Sequence, residues 1–427
     1  MSAPTTTVSF GLVGRRLGHS WSRQIHTRLG SVPYDLVELE PDEVGAFVRE
    51  GSWQGLNVTI PYKAEAARLA DERSERVARL GVANTLLRRD DGSIFAENTD
   101  VLGFSWMLER FCRRHLGLPA TDVLAGRKAL VLGTGGAAQA VTTSLEEVGA
   151  RVIQISRTGA ETYEGLAARH ADAILLVNAT PVGMYPNCPA TPLALDELSQ
   201  LTSLVGVLDV IYNPLRTQLV LDARSLGLPA ECGLAMLVAQ ALRSSELWQG
   251  IPLDDALVEK IERDLTHQMR NVALIGMPGA GKTSTGKRLA HLMGRPFVDI
   301  DDACALEAGI TPGEMIKTQG EEAFRKVEST VVARYGSSSG IVIACGGGVV
   351  TRERNRLPLL QNSLVVMLDR PLEELSTEGR PLSGARGVYA LAAERMDAYH
   401  SWADIIHTCT GTATGDAAAI LETIKDL

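Results

Sequence analysis

The chain has 427 residues, 45% of them hydrophobic and 22% charged, with a formal net charge of −9 at pH 7. That length favours about three domain-sized cores, and the acidic balance argues against a general binder of nucleic acid or anionic membrane. The opening stretch has no basic-then-apolar signal and no apolar run approaches membrane-spanning length; six scattered cysteines without a Cys-x-x-Cys pair (Cys112, Cys188, Cys232, Cys304, Cys345, Cys409) predict reduced thiols in a cytoplasmic enzyme.

Short apolar strands alternate with amphipathic helices from the start, which predicts a layered α/β fold. Strands are expected at Val8 to Val13, Tyr34 to Leu39 and Gly55 to Ile60, and a helix at Ser20 to Leu29. Thr85 to Arg89 and Ser93 to Ala96 flank Asp90, Asp91 and Gly92. Asp-Gly supplies the positive-φ turn of a hairpin. Polar residues gather where these strands end: Ser20, Ser22, Asn57, Thr59, Lys63, Asn84, Asn98 and Asp100. Strand ends in open α/β sheets are where ligands bind. Singly, each reads as well in a structural role: Ser20, Ser22, Thr99 or Asp100 as a helix cap, Lys63 as a solvated lysine.

Arg127 to Leu132 reads as a strand, followed by Gly133, Gly135, Gly136, Ala137 and Ala138 in a Gly-x-Gly-x-x-Ala pattern and then a helix from Gln139 to Val148. This is the arrangement that brings a dinucleotide pyrophosphate to a helix N-terminus. After the next strand, Arg151 to Ile155, an NAD site places a carboxylate; here stand Ser156, Arg157 and Thr158, with Glu161 just beyond. A guanidinium pairs with a ribose 2′-phosphate, so NADP(H) is expected. Asp254 to Leu265 reads as a closing helix and Thr266 to Arg270 as a short junction.

Gly276 to Thr283 fits Gly-x-x-x-x-Gly-Lys-Thr between the apolar strand Asn271 to Ile275 and a helix from Lys282 to Met293. Its glycines (Gly276, Gly279, Gly281) let backbone N–H groups, with Ala280 and Ser284 alongside, face the phosphates of a nucleotide; Lys282 is expected to reach the terminal phosphates and Thr283 to sit on Mg²⁺. Asp299 and Asp301 are spaced to share one face of a strand end, and Asp302 reads as a solvated cap. A phosphotransferase wants one carboxylate toward the metal and one toward the acceptor hydroxyl. Arg325 on a helix, the strand Ile341 to Ala344 running into Gly346, Gly347 and Gly348, then Arg380 and Arg395 with Tyr399, complete the set.

Together the motifs of the first part, Ser20/Ser22, Asn57 to Lys63, Ala83 to Leu86 and Glu97 to Asp100, resemble shikimate dehydrogenases over roughly residues 8 to 265. That resemblance implies a substrate domain at 1–103 completed by 234–268, and a Rossmann NADP-binding domain at 104–233. It implies Ser20 and Ser22 on the substrate carboxylate, Asn57, Thr59, Asn84 and Asp100 on ring hydroxyls, and Lys63 with Asp100 at the reacting carbonyl. Tyr212 and Gln240 become further substrate ligands, with Val210 and Gly233 on the nicotinamide side. The last part resembles shikimate kinase over residues 270–427, a P-loop fold of the nucleoside-monophosphate-kinase type. Here the resemblance implies Asp301, Arg325, Gly346 to Gly348 and Arg395 around shikimate, Asp299 and Thr283 toward Mg²⁺, and Arg380 as a lid arginine on the transferring phosphoryl group. The combined expectation is a bifunctional enzyme that reduces 3-dehydroshikimate with NADPH and phosphorylates shikimate with MgATP. Its rivals are a quinate-active dehydrogenase and a chain in which one half has lost catalysis.

Overall fold

The computed structural model describes residues 9–18, 20–375 and 387–425. The chain divides into two compact units, 1–182 with 191–212 and 219–264, and 183–190 with 213–218 and 265–427.

The first unit holds two sheets. One is mixed, built from β1 (Phe10–Gly14), β2 (Tyr34–Glu38), β3 (Gly55–Val58), β4 (Glu72–Arg73), β5 (Thr85–Arg88) and β6 (Ile94–Glu97) in the order β2-β1-β3-β5-β6-β4. The expected hairpin forms: β5 and β6 pair antiparallel, and Gly92 takes φ 85° in the turn. The other sheet is wholly parallel: β7 (Lys128–Leu132), β8 (Arg151–Ile155), β9 (Leu175–Asn178), β10 (Gly206–Asp209) and β11 (Ala230–Cys232), ordered β11-β10-β9-β7-β8. β9 and β10 are buried along their whole length, as apolar runs covered on both faces must be. The chain leaves β7 one way for β8 and the other way for β9, so a ligand crevice opens at the carboxyl ends of β7 and β9.

The helices Thr99–Phe111 and Leu234–Gln249 make the closest helix pairing of this unit. Gly103 permits it. A Cβ there would lie 2.7 Å from the Met236 carbonyl oxygen and 2.8 Å from Gln240 Cβ.

The second unit has one parallel sheet of β12 (Asn271–Ile275), β13 (Phe297–Asp299), β14 (Val342–Ala344), β15 (Ser363–Asp369) and β16 (Ile405–Thr408), ordered β13-β14-β12-β15-β16. β12 is central and buried throughout, with the loop Gly276 to Gly281 at its carboxyl end and the helix Lys282–Met293 beyond. Gly276 has φ 136°, and a Cβ there would meet the Leu368 carbonyl oxygen at 2.7 Å.

Two local expectations change. Thr266 to Met269 is not a loop: the helix Ala256–Met269 continues through it, because Val258, Ile261, Leu265 and Met269 form one buried stripe at helical spacing. The helix after β7 starts at Gly136, three residues early, since nothing in the glycine-rich turn opposes helical backbone there.

Gly103→Ala should destabilise the first unit by about 1–3 kcal/mol, the usual cost of overpacking. Urea unfolding would measure it.

Candidate active sites

Lys63 opens the helix Lys63–Leu69, and its Nζ lies 2.5 Å from Asp100 Oδ2. An ammonium in a first helical turn faces the positive end of the dipole; the Asp100 carboxylate offsets that, and itself gains from the N-terminus of its own helix. Both side chains are mostly covered, 21% and 15% exposed. Asn84 Nδ2 donates to the other Asp100 oxygen at 3.0 Å and lies 3.0 Å from Thr99 Oγ1 and 3.3 Å from Gln240 Oε1. Asn57 Nδ2 donates to Thr85 Oγ1 (3.2 Å) and Ser244 Oγ (3.0 Å), while Tyr34 donates to Asn57 Oδ1 at 2.9 Å. Ser20 Oγ and Ser22 Oγ are 3.1 Å apart, with Ser20 half-buried and Ser22 buried. Thr59 is half-buried at the end of β3, its methyl against the position a Gly14 side chain would take. The result is a wall of hydroxyls and amides leading to one ion pair.

Behind the wall, His26 stacks on Tyr34 with ring centroids 4.3 Å apart, and its Nδ1 meets Ser245 Oγ at 3.0 Å. Full burial lowers the imidazole to about 3, so it is neutral. Burial likewise pushes the Tyr34 phenol well above its ordinary value.

At the β7–β9 crevice, Gly133 takes φ 110° and a Cβ would press on the Ala179 carbonyl oxygen at 3.0 Å. A Cβ at Gly135 or Gly136 would meet nothing, so space remains in front of the N-terminus of the helix Gly136–Glu147, with Ala137 half-buried in its first turn. A pyrophosphate fits that space and that dipole. Past β8, Ser156 is half-buried and Arg157 and Thr158 are exposed. Gly233 must be glycine: a Cβ would lie 2.1 Å from the Val210 carbonyl oxygen. Tyr212 is half-buried nearby in the chain, and burial raises its phenol.

In the second unit a cavity of about 490 Å³ joins the phosphate loop to Asp299, Asp301, Arg325, Gly346 to Gly348 and Arg395. Lys282 Nζ donates to the carbonyl oxygens of Gly276 (2.8 Å) and Met277 (2.9 Å). Ala280 is buried in the loop; Ser284, next along the helix, is exposed. Thr283 Oγ1 donates to Asp299 Oδ2 at 2.7 Å, placing two hard oxygen donors together beside the phosphate loop, which suits Mg²⁺. Asp299 also caps the helix Ile300–Ala308 by accepting from the Asp301 N–H at 2.9 Å. Arg325 is 3% exposed and held by Glu321 (3.0 Å) and Glu328 (2.7 Å). Glycine is obligatory at 348, where a Cβ would fall 2.0 Å from Arg325 Nη2. Arg395 Nη1 donates to the Gly347 carbonyl at 3.1 Å, and its buried Nη2 has no hydrogen-bond partner among the described residues, which suits a ligand carboxylate.

Two family models match the sequence: the shikimate dehydrogenase substrate binding domain at residues 12–86 and shikimate kinase at residues 278–425. Shikimate dehydrogenase (NADP(+)) of Clostridium beijerinckii is 32% identical over 271 residues, covering 58% of this chain and 95% of the relative. The same enzyme of Methylobacterium radiotolerans is 37% identical over 263 residues, covering 56% and 90%. The chain belongs to the shikimate dehydrogenase family. A shikimate kinase domain follows in its second unit. Among solved structures, a chorismate mutase/shikimate 5-dehydrogenase fusion from Clostridium acetobutylicum aligns at 33% identity and TM-score 0.54, over 61% of this chain and 97% of that one. The Thermus thermophilus shikimate 5-dehydrogenase in complex with NADP(H) and shikimate aligns at 29% identity and TM-score 0.51, over 60% and 99%.

Lys63, Asp100, Asn84 and Gln240 share one hydrogen-bond network that Asn57 joins through Thr85 and Ser244, Ser20 pairs with Ser22, and Lys282, Thr283, Asp299, Asp301, Arg325, Gly346 to Gly348 and Arg395 line one cavity. Arg380, with Pro381 and Leu382, lies outside the described residues. Two readings are corrected. Asp299 and Asp301 do not alternate on a strand: helix begins at Ile300, and the cap bond from the Asp301 N–H turns both acids to the cavity. Asp302 is not the cap; Asp299 is. The sequence reading missed His26, Tyr34, Thr85 and Ser244 behind the dehydrogenase wall, and Glu328 beneath Arg325. His26 stands four residues after Ser22 and Glu328 three after Arg325, spacings that share a helix face.

The unfolded chain titrates His26 near 6.5, the folded chain only near about 3. Its contribution to stability is therefore intact above pH 6.5 and lost as pH falls toward 3. His26→Gln should flatten that part of the decline in urea midpoint between pH 7.5 and 5. Asp301 opens into the cavity, yet desolvation in the recess and the neighbouring Asp299 raise its carboxyl. The fold thus opposes its ionised form at neutral pH, so Asp301→Asn should raise the melting temperature while cutting phosphotransfer by about 10²–10⁴.

Proposed function

We propose that each site residue acts in the role its position supports. The chain is a bifunctional shikimate-pathway enzyme, with NADP-dependent shikimate dehydrogenase and ATP-dependent shikimate kinase activities. In the first unit, residues 1–103 with 234–268 hold the ring and residues 104–233 hold the cofactor; residues 270–427 are the kinase. The observation that carries the assignment of roles is the Lys63–Asp100 pair, set at the end of a wall of ring-hydroxyl partners.

NADPH, when bound, supplies the hydride. As the carbonyl of 3-dehydroshikimate gains alkoxide character, the Lys63 ammonium stabilises the charge and delivers a proton, and Asp100 holds Lys63 in place. Ser20 and Ser22 donate hydroxyls to the ring carboxylate; Asn57, Thr59, Asn84, Tyr212 and Gln240 fix the ring, and Val210 and Gly233 lie on the nicotinamide side. In the kinase, Arg395 and Arg325 hold the shikimate carboxylate, and Gly346 to Gly348 allow the ring to approach the backbone. Asp301 accepts the proton of the attacking hydroxyl, while Lys282 and the loop N–H groups stabilise charge on the phosphates. Thr283 and Asp299 would hold Mg²⁺, which would supply positive charge against the phosphates. Arg380 completes the set as a lid residue. No described helix is long and apolar enough to cross a membrane. The six free thiols and acidic charge support a cytoplasmic setting and small-molecule rather than nucleic-acid or membrane partners.

Purified chain given 3-dehydroshikimate, NADPH and MgATP should consume NADPH and form ADP in one vessel. Lys63→Ala should lower the reduction by about 10²–10⁴ and leave phosphorylation of supplied shikimate intact. Lys282→Ala should do the reverse. No ADP from supplied shikimate would sink the kinase roles; unchanged reduction in Lys63→Ala would sink the proton-donor role.

A further inference from the structure

The loop that follows β8 carries a carboxylate beside the residues proposed for the 2′-phosphate of NADP(H). The Ser156 N–H donates to the Glu161 carbonyl oxygen at 3.0 Å, which folds residues 156–161 into a closed turn. Gly159 sits inside the turn, where a Cβ would lie 2.4 Å from Ser156 Oγ and turn that hydroxyl aside. The turn brings the backbone of Glu161 back against the strand end that presents Arg157. An acid in such a position repels a phosphate and accepts hydrogen bonds from a ribose diol, the behaviour of an NAD site.

Here that carboxylate is occupied. Glu161 Oε2 accepts from Arg169 Nε at 3.2 Å and lies 3.3 Å from His170 Nε2. His170 is buried, and the two partners hold the Glu161 carboxyl below its usual range, His170 foremost. Arg169 also donates to the carbonyl oxygens of Thr162 (2.7 Å) and Glu164, so one guanidinium fixes both the acid and the backbone after it. Tyr163, between them, is half-buried in the same loop.

We infer that Arg169, with His170, is a specificity-determining clamp: it draws Glu161 away from the cofactor ribose and leaves Arg157 to select the 2′-phosphate. Glu161 is the group that, once released, turns the site toward NAD(H). Arg169 touches no cofactor and acts through Glu161, so it is a positioning residue. This rests on the NADP-dependent dehydrogenase reading above.

The test is a cycle of Arg169→Ala, Glu161→Gln and the double variant, with kcat/KM measured for NADPH and for NADH at saturating 3-dehydroshikimate. With His170 still beside it, Glu161 is released only in part by Arg169→Ala, so the NADPH-to-NADH ratio should fall by about three- to tenfold, chiefly through KM for NADPH. Glu161→Gln alone should leave the ratio unchanged or higher, and adding it to Arg169→Ala should restore the ratio. If Arg169→Ala lowers the ratio equally in the Glu161→Gln background, the loop's shape rather than its charge sets selectivity and the clamp is overturned. An unchanged ratio in Arg169→Ala overturns it too. Arg169→Lys, which keeps the charge, covers the case in which the alanine variant fails to fold and should retain at least half of the selectivity in logarithmic terms. Wild-type protein that reduces 3-dehydroshikimate with neither cofactor would instead overturn the underlying dehydrogenase reading.

Discussion

The first unit depends on one helix crossing. Gly103 lets the helix Leu234–Gln249 lie directly on Thr99–Phe111, and Asp100, Asn84 and Gln240 take their places from that contact. Asp100 stands almost one turn before Gly103 and Gln240 sits on the facing helix, with Ser244 one turn further along. Asn84, from the loop before β5, reaches both helices at once. Asp100 is therefore placed by backbone packing, and its side-chain hydrogen bonds to Lys63 and Asn84 refine the position. Packed interiors transmit small displacements, so a distant Cβ can disturb a proton-transfer distance.

Close backbone approach has the same use in the second unit. Gly276 lets the phosphate loop turn against Leu368 on β15, and Gly348 lets the chain pass over the Arg325 guanidinium. Gly346 brings the loop against Asp301 and Glu328, where a Cβ would sit 2.8 Å from both carboxylates. These glycines exchange conformational freedom for proximity. What they secure is a cavity whose floor is main chain and whose walls are ions.

Much of this was legible in the sequence, and the failures share a cause. Strand–glycine turn–helix patterns located both nucleotide sites because the turn chemistry is local. The Lys282–Met293 helix matched its expected bounds for the same reason. The helix through Thr266 to Met269 was misread because its buried stripe is fixed by tertiary packing against residues far along the chain. The alternation argument for Asp299 and Asp301 reached the right cavity by the wrong geometry, since the acid at 299 ends the strand by capping a helix. His26, Ser244 and Glu328 were missed because each acts through another side chain. Residue type marks a ligand-facing group more readily than the group behind it.

The supporting partners also differ in kind, and the difference predicts what each functional charge does on meeting its ligand. Lys282 donates to two neutral carbonyls, which are weaker partners for an ammonium than phosphate oxygens. Arg395 keeps a buried donor unpartnered among the described residues and gains a bond without losing one. Arg325, by contrast, is already paired with two carboxylates, one of them fully buried. Breaking that pairing would leave an acid uncompensated in the interior, at a cost of about 3–5 kcal/mol. Arg325 therefore meets a substrate as part of a fixed ion cluster, through whatever donor capacity Glu321 and Glu328 leave it. Arg395 is then the residue whose carboxylate affinity is least opposed by its own surroundings.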